Sequence, residues 1–348
     1  MGAVERASPS GHEADVAAYL VDAMRPWAER TEVDEAGNAV GWFGTGPTRI
    51  VALGHLDTAP GWWPVRREGH VLHGRGSVDA KGSLCALVCA AARLPAAFRE
   101  RLSVQVIGAV EEECASSRGA RHALQAYPRP DLVIVGEPSG WDAYTLGYKG
   151  RIVAEIAADR PEGHSAADEA SAAATVALAW HTLEAWAHAT SAGAVGAFDA
   201  VQATLLDIAS ASDGLRQRAV ARVAFRLPPH LDPPAAAARV EAELRQLVER
   251  TGASVRIAAG ESAYRGPRDG PLQRALRVAI RAEGGVPRPL LKTGTSDMNV
   301  VAPVWDVPIV AYGPGDARMD HTPHEAIDLR EYVRSIRVVE RVFDALAT

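Results

Sequence analysis

A chain of 348 residues is too long for one simple core and fits two domains. Its 47% apolar and 23% charged residues are those of a globular protein, and a net charge of −6 removes the electrostatic case for a nucleic-acid partner. No apolar run reaches transmembrane length, the first residues lack the apolar stretch of a signal peptide, and three cysteines are too few for a disulfide framework. The expectation is a cytoplasmic protein with no membrane partner.

Ser10 and Glu13 are spaced as a capping box, opening a helix that runs to about residue 27. Strands are expected over residues 38–43 and 48–53, the second rich in Ile50, Val51 and Leu53 and stopped by Gly54. His55 and Asp57 follow, two apart in extended chain and therefore on one side. An imidazole can ligate a metal through one nitrogen while a carboxylate takes the proton on the other. Asp79 closes the Gly-rich turn that starts at Gly74, ahead of an apolar helix over residues 82–94 that carries Cys85 and Cys89. A strand over residues 102–110 ends in Glu111, Glu112 and Glu113. Carboxylates so crowded repel one another unless a positive group sits among them. A helix opens at Arg118, and a short buried strand over residues 131–136 ends in Glu137. Alternating strand and helix predict an α/β sheet with much parallel character, in which ligands gather at the carboxyl ends of strands. His55, Glu111, Glu112 and Glu137 stand at such ends.

The pattern changes after Gly147. A strand over residues 151–159, a helix over 172–188, strands over 201–209 and 217–227, a helix over 233–250 and a strand over 253–258 follow the order of a ferredoxin-like domain. The prediction is an α+β domain of residues 151–259 inserted into a catalytic domain of residues 1–150 and 260–348. Gly163-His164-Ser165 places a loop histidine on the insert. The first pattern resumes with a helix over residues 271–283, then Lys292-Thr293-Gly294-Thr295-Ser296-Asp297, a strand over 306–312, Asp320-His321-Thr322-Pro323-His324-Glu325, and a final helix over 329–347. Of 37 basic residues only Lys81, Lys149 and Lys292 are lysine. A lysine kept in so Arg-rich a chain marks a place where a compact ammonium is needed.

Together, His55, Asp57, Asp79, Glu111, Glu112, Glu137 and His321 offer nitrogen and oxygen donors and no thiolate, a set suited to two divalent cations such as zinc or cobalt. The motifs Gly-His-Leu-Asp-Thr, Gly-Arg-Gly-Ser-Val-Asp-Ala-Lys-Gly, Glu-Glu, Gly-Glu-Pro-Ser, Gly-His-Ser-Ala, Thr-Gly-Thr-Ser-Asp and His-Thr-Pro-x-Glu, in this order, resemble the co-catalytic zinc aminoacylase/carboxypeptidase family. That family includes acetylornithine deacetylase, succinyl-diaminopimelate desuccinylase and glutamate carboxypeptidases. The resemblance implies a mixed sheet with helices on both faces, an insert that acts as lid and dimerisation domain, a homodimer, and two zinc ions, cobalt being a substitute. It implies His55 and Glu137 on one ion, Glu112 and His321 on the other, and Asp79 bridging both next to a cis Asp79–Ala80 peptide. It further implies that Asp57 orients His55, that Glu111 is the general base, and that His164 holds the oxyanion. Glu112 as base with Glu113 as ligand is the other register. The first is preferred because Val110 falls where the family has the residue before its Glu pair. His321, not His324, fits His-Thr-Pro-x-Glu.

Within the family, Ala-Pro-Gly-x-x-Pro-Val-Arg, Tyr148-Lys149-Gly150-Arg151, Lys-Thr-Gly-Thr-Ser-Asp-Met-Asn and Gly-Asp-x-Arg-x-Asp-His-Thr-Pro are similar to the hydrolases that release lysine or ornithine from an amino-group carrier protein. That likeness implies an amide hydrolase of lysine or arginine biosynthesis with the carrier as partner. Lys292, Thr295, Ser296 and Arg318 are then candidates for the lysine carboxylate. N-acetylornithine, succinyl-diaminopimelate and peptides are the alternative substrates.

Overall fold

The computed structural model describes residues 1–164, 166 and 170–348. The chain folds as two compact units, Met1–Gly147 with Arg265–Leu291 and Ser296–Thr348, and Tyr148–Tyr264 with Lys292–Thr295.

The first unit is built on a mixed sheet. Strand Thr48–His55 lies parallel to Leu102–Ala109 on one side and to Leu132–Val135 on the other. Ile309–Ala311 continues the parallel set beyond Leu132–Val135, and Ala39–Phe43 pairs antiparallel with Leu102–Ala109. Strands covered on both faces must be apolar throughout, and Ile50, Val51, Ala52 and Leu53 are all buried. Helices Ala14–Met24, Lys81–Ala92, Pro271–Ala282 and Leu329–Ala347 supply Leu20, Leu84, Leu87, Leu276, Val342 and Phe343 to the same core. Each such buried side chain contributes about 1.5–3 kcal/mol relative to exposure. Helix Lys81–Ala92 starts hard against the turn before it: a Cβ at Gly82 would lie 2.1 Å from the Ser77 carbonyl oxygen.

Several local expectations change. Ser10 and Glu13 do not form a capping box, because both side chains reach across the sequence to the strand ends described below, and the helix opens at Ala14 with no side-chain cap. Between the Lys292–Asp297 motif and the strand expected over residues 306–312 stands an additional helix, Asp297–Trp305, capped by Ser296 and Asn299, and the strand itself is only Ile309–Ala311. Arg66–Glu68, Val71–His73 and Ala326–Asp328 form a small antiparallel sheet the sequence did not announce.

The second unit is an antiparallel sheet in the order Gln202–Ser212, Arg216–Leu227, Gly150–Pro161, Ser254–Glu261, the order of a ferredoxin-like fold. Helices Ala172–Thr190 and Pro233–Thr251 bury Val176, Leu183, Val240 and Leu244 against Ile152, Ile156, Val223 and Phe225. Two of the three retained lysines are structural ties, Lys81 in the first unit and Lys149 in the second. Lys149 Nζ donates to the Ala197 carbonyl at 2.9 Å and Gln202 Oε1 at 3.0 Å, and Lys81 Nζ donates to the Arg6 carbonyl at 2.7 Å. Burial pushes both ammonium groups down to about 8. Among the described residues no helix is long and apolar enough to cross a membrane.

Candidate metal centre

The parallel register sets the site. His55 pairs with Ala109 and Leu53 with Val135, so the chain leaves three neighbouring strands at one level, carrying His55, the glutamate run and Glu137 to the same edge. Asp79 arrives from the turn before helix Lys81–Ala92, with a cis Asp79–Ala80 peptide. His321 arrives from the loop before Ala326–Asp328. All these residues belong to the first unit.

Asp79 stands between the two imidazoles. Its Oδ1 is 3.5 Å from His55 Nε2 and its Oδ2 is 3.0 Å from His321 Nε2. Glu137 Oε1 lies 3.9 Å from His55 Nε2, and Glu113 Oε1 lies 2.9 Å from His321 Nε2. Ligand atoms of His55, Asp79 and Glu113 all fall within 4.8 Å of one another. The arrangement is two half-sites, His55 with Glu137 and His321 with Glu113, sharing the two oxygens of one carboxylate.

Asp57 is completely buried and does more than orient an imidazole. Its main-chain carbonyl accepts the Nδ1–H of His55 at 2.8 Å, and its nearer carboxylate oxygen is 3.5 Å away. Nε2 is thereby left to face Asp79 and Glu137. The carboxylate instead accepts the N–H of Glu112 (3.0 Å), the N–H of Glu113 (3.0 Å) and the hydroxyl of Ser10 (2.7 Å). One residue therefore sets both the imidazole and the backbone of the glutamate run.

The glutamate run sends its three side chains in different directions. Glu111 takes φ +58°, and its carboxylate turns to Arg118 Nε (2.7 Å) and Ser116 Oγ (2.6 Å), while its N–H is held by Glu13 Oε1 at 3.1 Å. Glu113 meets His321 at 2.9 Å and has an oxygen within 4.8 Å of ligand atoms of His55 and Asp79. Glu112 lies among His55, Glu137, Asp297 and Glu113, and burial together with those acids pushes its carboxyl well above the ordinary range against the pull of His55. His324 is exposed, and its N–H makes a 3.4 Å contact with Thr322 Oγ1.

The electrostatics fit a cationic occupant. Burial opposes charge on His55, yet Asp57 and Asp79, aided by Glu112 and Glu137, hold its pKa well above the usual histidine value. Asp79 and then Glu113 push His321 up to about 10, and the two histidines, overcoming burial, hold Asp79 far below the usual carboxylate range. In the metal-free protein, protons on the imidazoles supply the positive charge that so many carboxylates require. Nitrogen and oxygen donors without thiolate suit zinc-like divalent ions.

The other anticipated residues have local partners. Ser296 Oγ accepts the N–H of Met298 as a helix cap. Thr295 Oγ1 donates to the Lys149 carbonyl at 3.0 Å and accepts from Arg226 at 2.6 Å, and the Lys292 ammonium sits 5.9 Å from the Tyr148 ring centre; these contacts belong to the second unit. Arg318 forks onto Asp316 at 2.6 and 3.0 Å in the open. His164 is an exposed residue of the second unit whose Nδ1 accepts the Ala166 N–H at 3.1 Å, and Ser165 of its motif lies outside the described residues. Sequence reasoning gave no role at the centre to Glu113 as the preferred ligand, nor to Ser10, Glu13, Arg75 and Glu325, although Arg75 and Glu325 stand inside motifs that carry the family likeness.

A profile of peptidase family M20/M25/M40 matches residues 51–345. The chain belongs to this family. It is a metal-dependent hydrolase of amide bonds. It is 50% identical over 341 residues to LysW-lysine hydrolase of Deinococcus radiodurans, spanning 97% of this chain and 93% of that protein. A putative LysW-lysine/LysW-ornithine hydrolase of Thermococcus kodakarensis is 36% identical over 99% of this chain and 90% of its own length. Among solved structures, the M20 family metallo-carboxypeptidase Sso-CP2 of Sulfolobus solfataricus aligns with a TM-score of 0.79 at 16% identity, covering 99% of this chain and 98% of that one. The dipeptidase Dug1p of Saccharomyces cerevisiae aligns with a TM-score of 0.82 at 12% identity over 99% and 94%. At such identities these two establish the mixed α/β fold alone.

Proposed function

We propose that the chain releases lysine from an amino-group carrier protein of the LysW type, by hydrolysing the amide between the side-chain carboxyl of the carrier's terminal glutamate and the α-amino group of lysine. The observation that carries this reading is the 50% identity to a LysW-lysine hydrolase across nearly the whole of both chains. Ornithine is the second leaving group, favoured by the archaeal relatives whose names include it. The reading carries with it a place in lysine or arginine biosynthesis and a cytoplasmic location.

Two zinc ions are proposed, cobalt serving as substitute, with His55 and Glu137 at one, His321 and Glu113 at the other, and Asp79 between. When bound, the ions would polarise the amide carbonyl and acidify a water molecule. Glu112 takes the proton of that water at its carboxylate and delivers it to the departing α-amino nitrogen, while the water oxygen bonds to carbon and the C–N bond breaks. A base works best with a pKa near the working pH, and the burial that raises Glu112 moves it in that direction. Asp57 holds the Glu112 amide and so aims the base. The unit Tyr148–Tyr264 is proposed to serve as lid and dimerisation domain, with His164 of the partner subunit donating to the developing oxyanion. Lys292, Thr295, Ser296 and Arg318 remain proposed contacts of the lysine carboxylate.

The test is free lysine release from a purified carrier-lysine adduct, with carrier-ornithine, N-acetylornithine and succinyl-diaminopimelate assayed alongside. Release from the carrier adducts at rates far above the small substrates is the expected result. Turnover of N-acetylornithine alone would move the assignment to a deacetylase.

A further inference from the structure

Behind the two half-sites lies an ion pair that takes no part in the chemistry. Glu325 is fully buried and Arg75 is 6% exposed, and Arg75 Nη1 meets Glu325 Oε2 at 3.0 Å. The other oxygen of Glu325 accepts the N–H of Val78 at 2.8 Å and the N–H of Asp79 at 3.0 Å. Arg75 spreads its remaining donors over carbonyls: Thr322 at 3.2 Å, Pro60 at 3.3 Å, Gly61 at 3.3 Å, and His321 at the edge of reach, 3.5 Å. The Trp63 ring covers the guanidinium, with its centre 5.0 Å away.

Three segments meet on this pair: the loop that follows His55 and Asp57, the turn that carries Asp79, and the loop that carries His321. The last two are some 250 residues apart in sequence. His321 itself sits at φ +60°, a conformation that a residue with a Cβ keeps only when its surroundings hold it there. A buried charge is tolerated when it is paired and its remaining hydrogen-bonding capacity is used, which is the case for both partners here. Only a planar guanidinium reaches four carbonyls and a carboxylate from one point, so lysine cannot replace Arg75 without loss.

We infer that Arg75 and Glu325 are positioning residues that fix the backbones of Asp79 and His321, and thereby set the affinity of the centre for its second cation. The inference rests on the reading that Asp79 and His321 hold metal. Neither residue touches a reacting atom.

The test measures zinc affinity of chelator-stripped protein by competition with a chromophoric chelator, with far-UV circular dichroism and metal-free thermal unfolding recorded in parallel. Glu325→Gln keeps the shape and an acceptor for the two amides but leaves the guanidinium uncompensated. Arg75→Lys keeps the charge but loses the fork. Each folded variant is expected to bind the weaker ion about 10–100-fold less tightly, the range for loss of an outer-shell partner. The double variant Arg75→Met, Glu325→Leu, which buries no charge and so preserves the fold if either single change does not, must show the same loss. Folded variants that bind both ions within about twofold of the native chain, even with a lowered metal-free Tm, would reduce the pair to a fold-stabilising contact and overturn the inference. A native chain that binds no divalent ion would overturn the metal reading as well.

Discussion

Replacing one carboxylate by its amide separates the two registers of the glutamate run. Glu112→Gln changes no ligand of either half-site and conserves the backbone bond from Glu112 N–H to Asp57 Oδ1. What it removes is the proton acceptor among His55, Glu137 and Glu113. Loss of a positioned general base costs about 10²–10⁴ in rate, roughly 3–5 kcal/mol of barrier. Glu111→Gln alters a carboxylate bound to Arg118 at 2.7 Å, with side chains 20% and 47% exposed. An ion pair that open contributes about 0.2–1 kcal/mol, so the rate should stay within about fivefold of native. Both proteins should be loaded with metal, checked for metal content, and assayed for lysine release under single-turnover conditions. Glu112→Gln should hold its metal and be nearly inert, and Glu111→Gln should be nearly native. The reverse pattern would refute the shifted register and return the base to Glu111.

The raised imidazoles give a pH dependence with a definite sign. His321, at about 10 in the metal-free fold against about 6.5 unfolded, stabilises the metal-free protein below about pH 6.5, and that contribution is lost as pH rises through 10. Metal-free Tm should therefore fall between pH 7 and 10, and calorimetry of zinc uptake at pH 7 in buffers of different ionisation enthalpy should show about two protons released per chain; no release would mean neutral imidazoles. His321→Ala should lower zinc occupancy by metal analysis while His324→Ala leaves it unchanged, and equal occupancy in both would dismiss His321 as a ligand. Asp57→Asn puts an NH2 group where the carboxylate accepts the Glu112 and Glu113 amides and the Ser10 hydroxyl, and should cost about 1–3 kcal/mol of stability together with metal affinity. A native-like Tm and zinc affinity would show that those bonds are dispensable.

What could be read ahead of the structure follows the range of the interactions. The strand ends were legible because β-branched runs such as Ile50–Leu53 stop at glycine, and parallel strands bring their ends to one level. Motif order singled out His55, Asp79, Glu137 and His321, and the fold brings each within 4 Å of another of the four, His55 to Asp79 and Glu137 and His321 to Asp79. Local pattern also showed the ferredoxin-like order of the second unit, since its helices carry their apolar stripes openly. The turn of the Glu111 carboxylate toward Arg118 was not legible, because it depends on a positive φ at Glu111, and nothing in a glutamate announces that conformation. Ser10 and Glu13 look like a helix cap because capping chemistry and long-range hydrogen bonding use the same side chains. Their true partners, Asp57 and the Glu111 amide, are 47 and 98 residues away. Arg75 and Glu325 were hidden for the same reason. Helix Asp297–Trp305 was obscured by its short length and by Pro303 near its end.

Two cations held on either side of Asp79 are the central claim. Anomalous diffraction at the zinc edge from crystals grown with zinc tests it most directly. Two peaks about 3.5–4 Å apart are expected, the separation usual for paired catalytic ions. One should touch His55 and Glu137, the other His321 and Glu113, with one Asp79 oxygen on each. A single peak, or a second peak on Glu112 or His324 in place of Glu113 and His321, would contradict it.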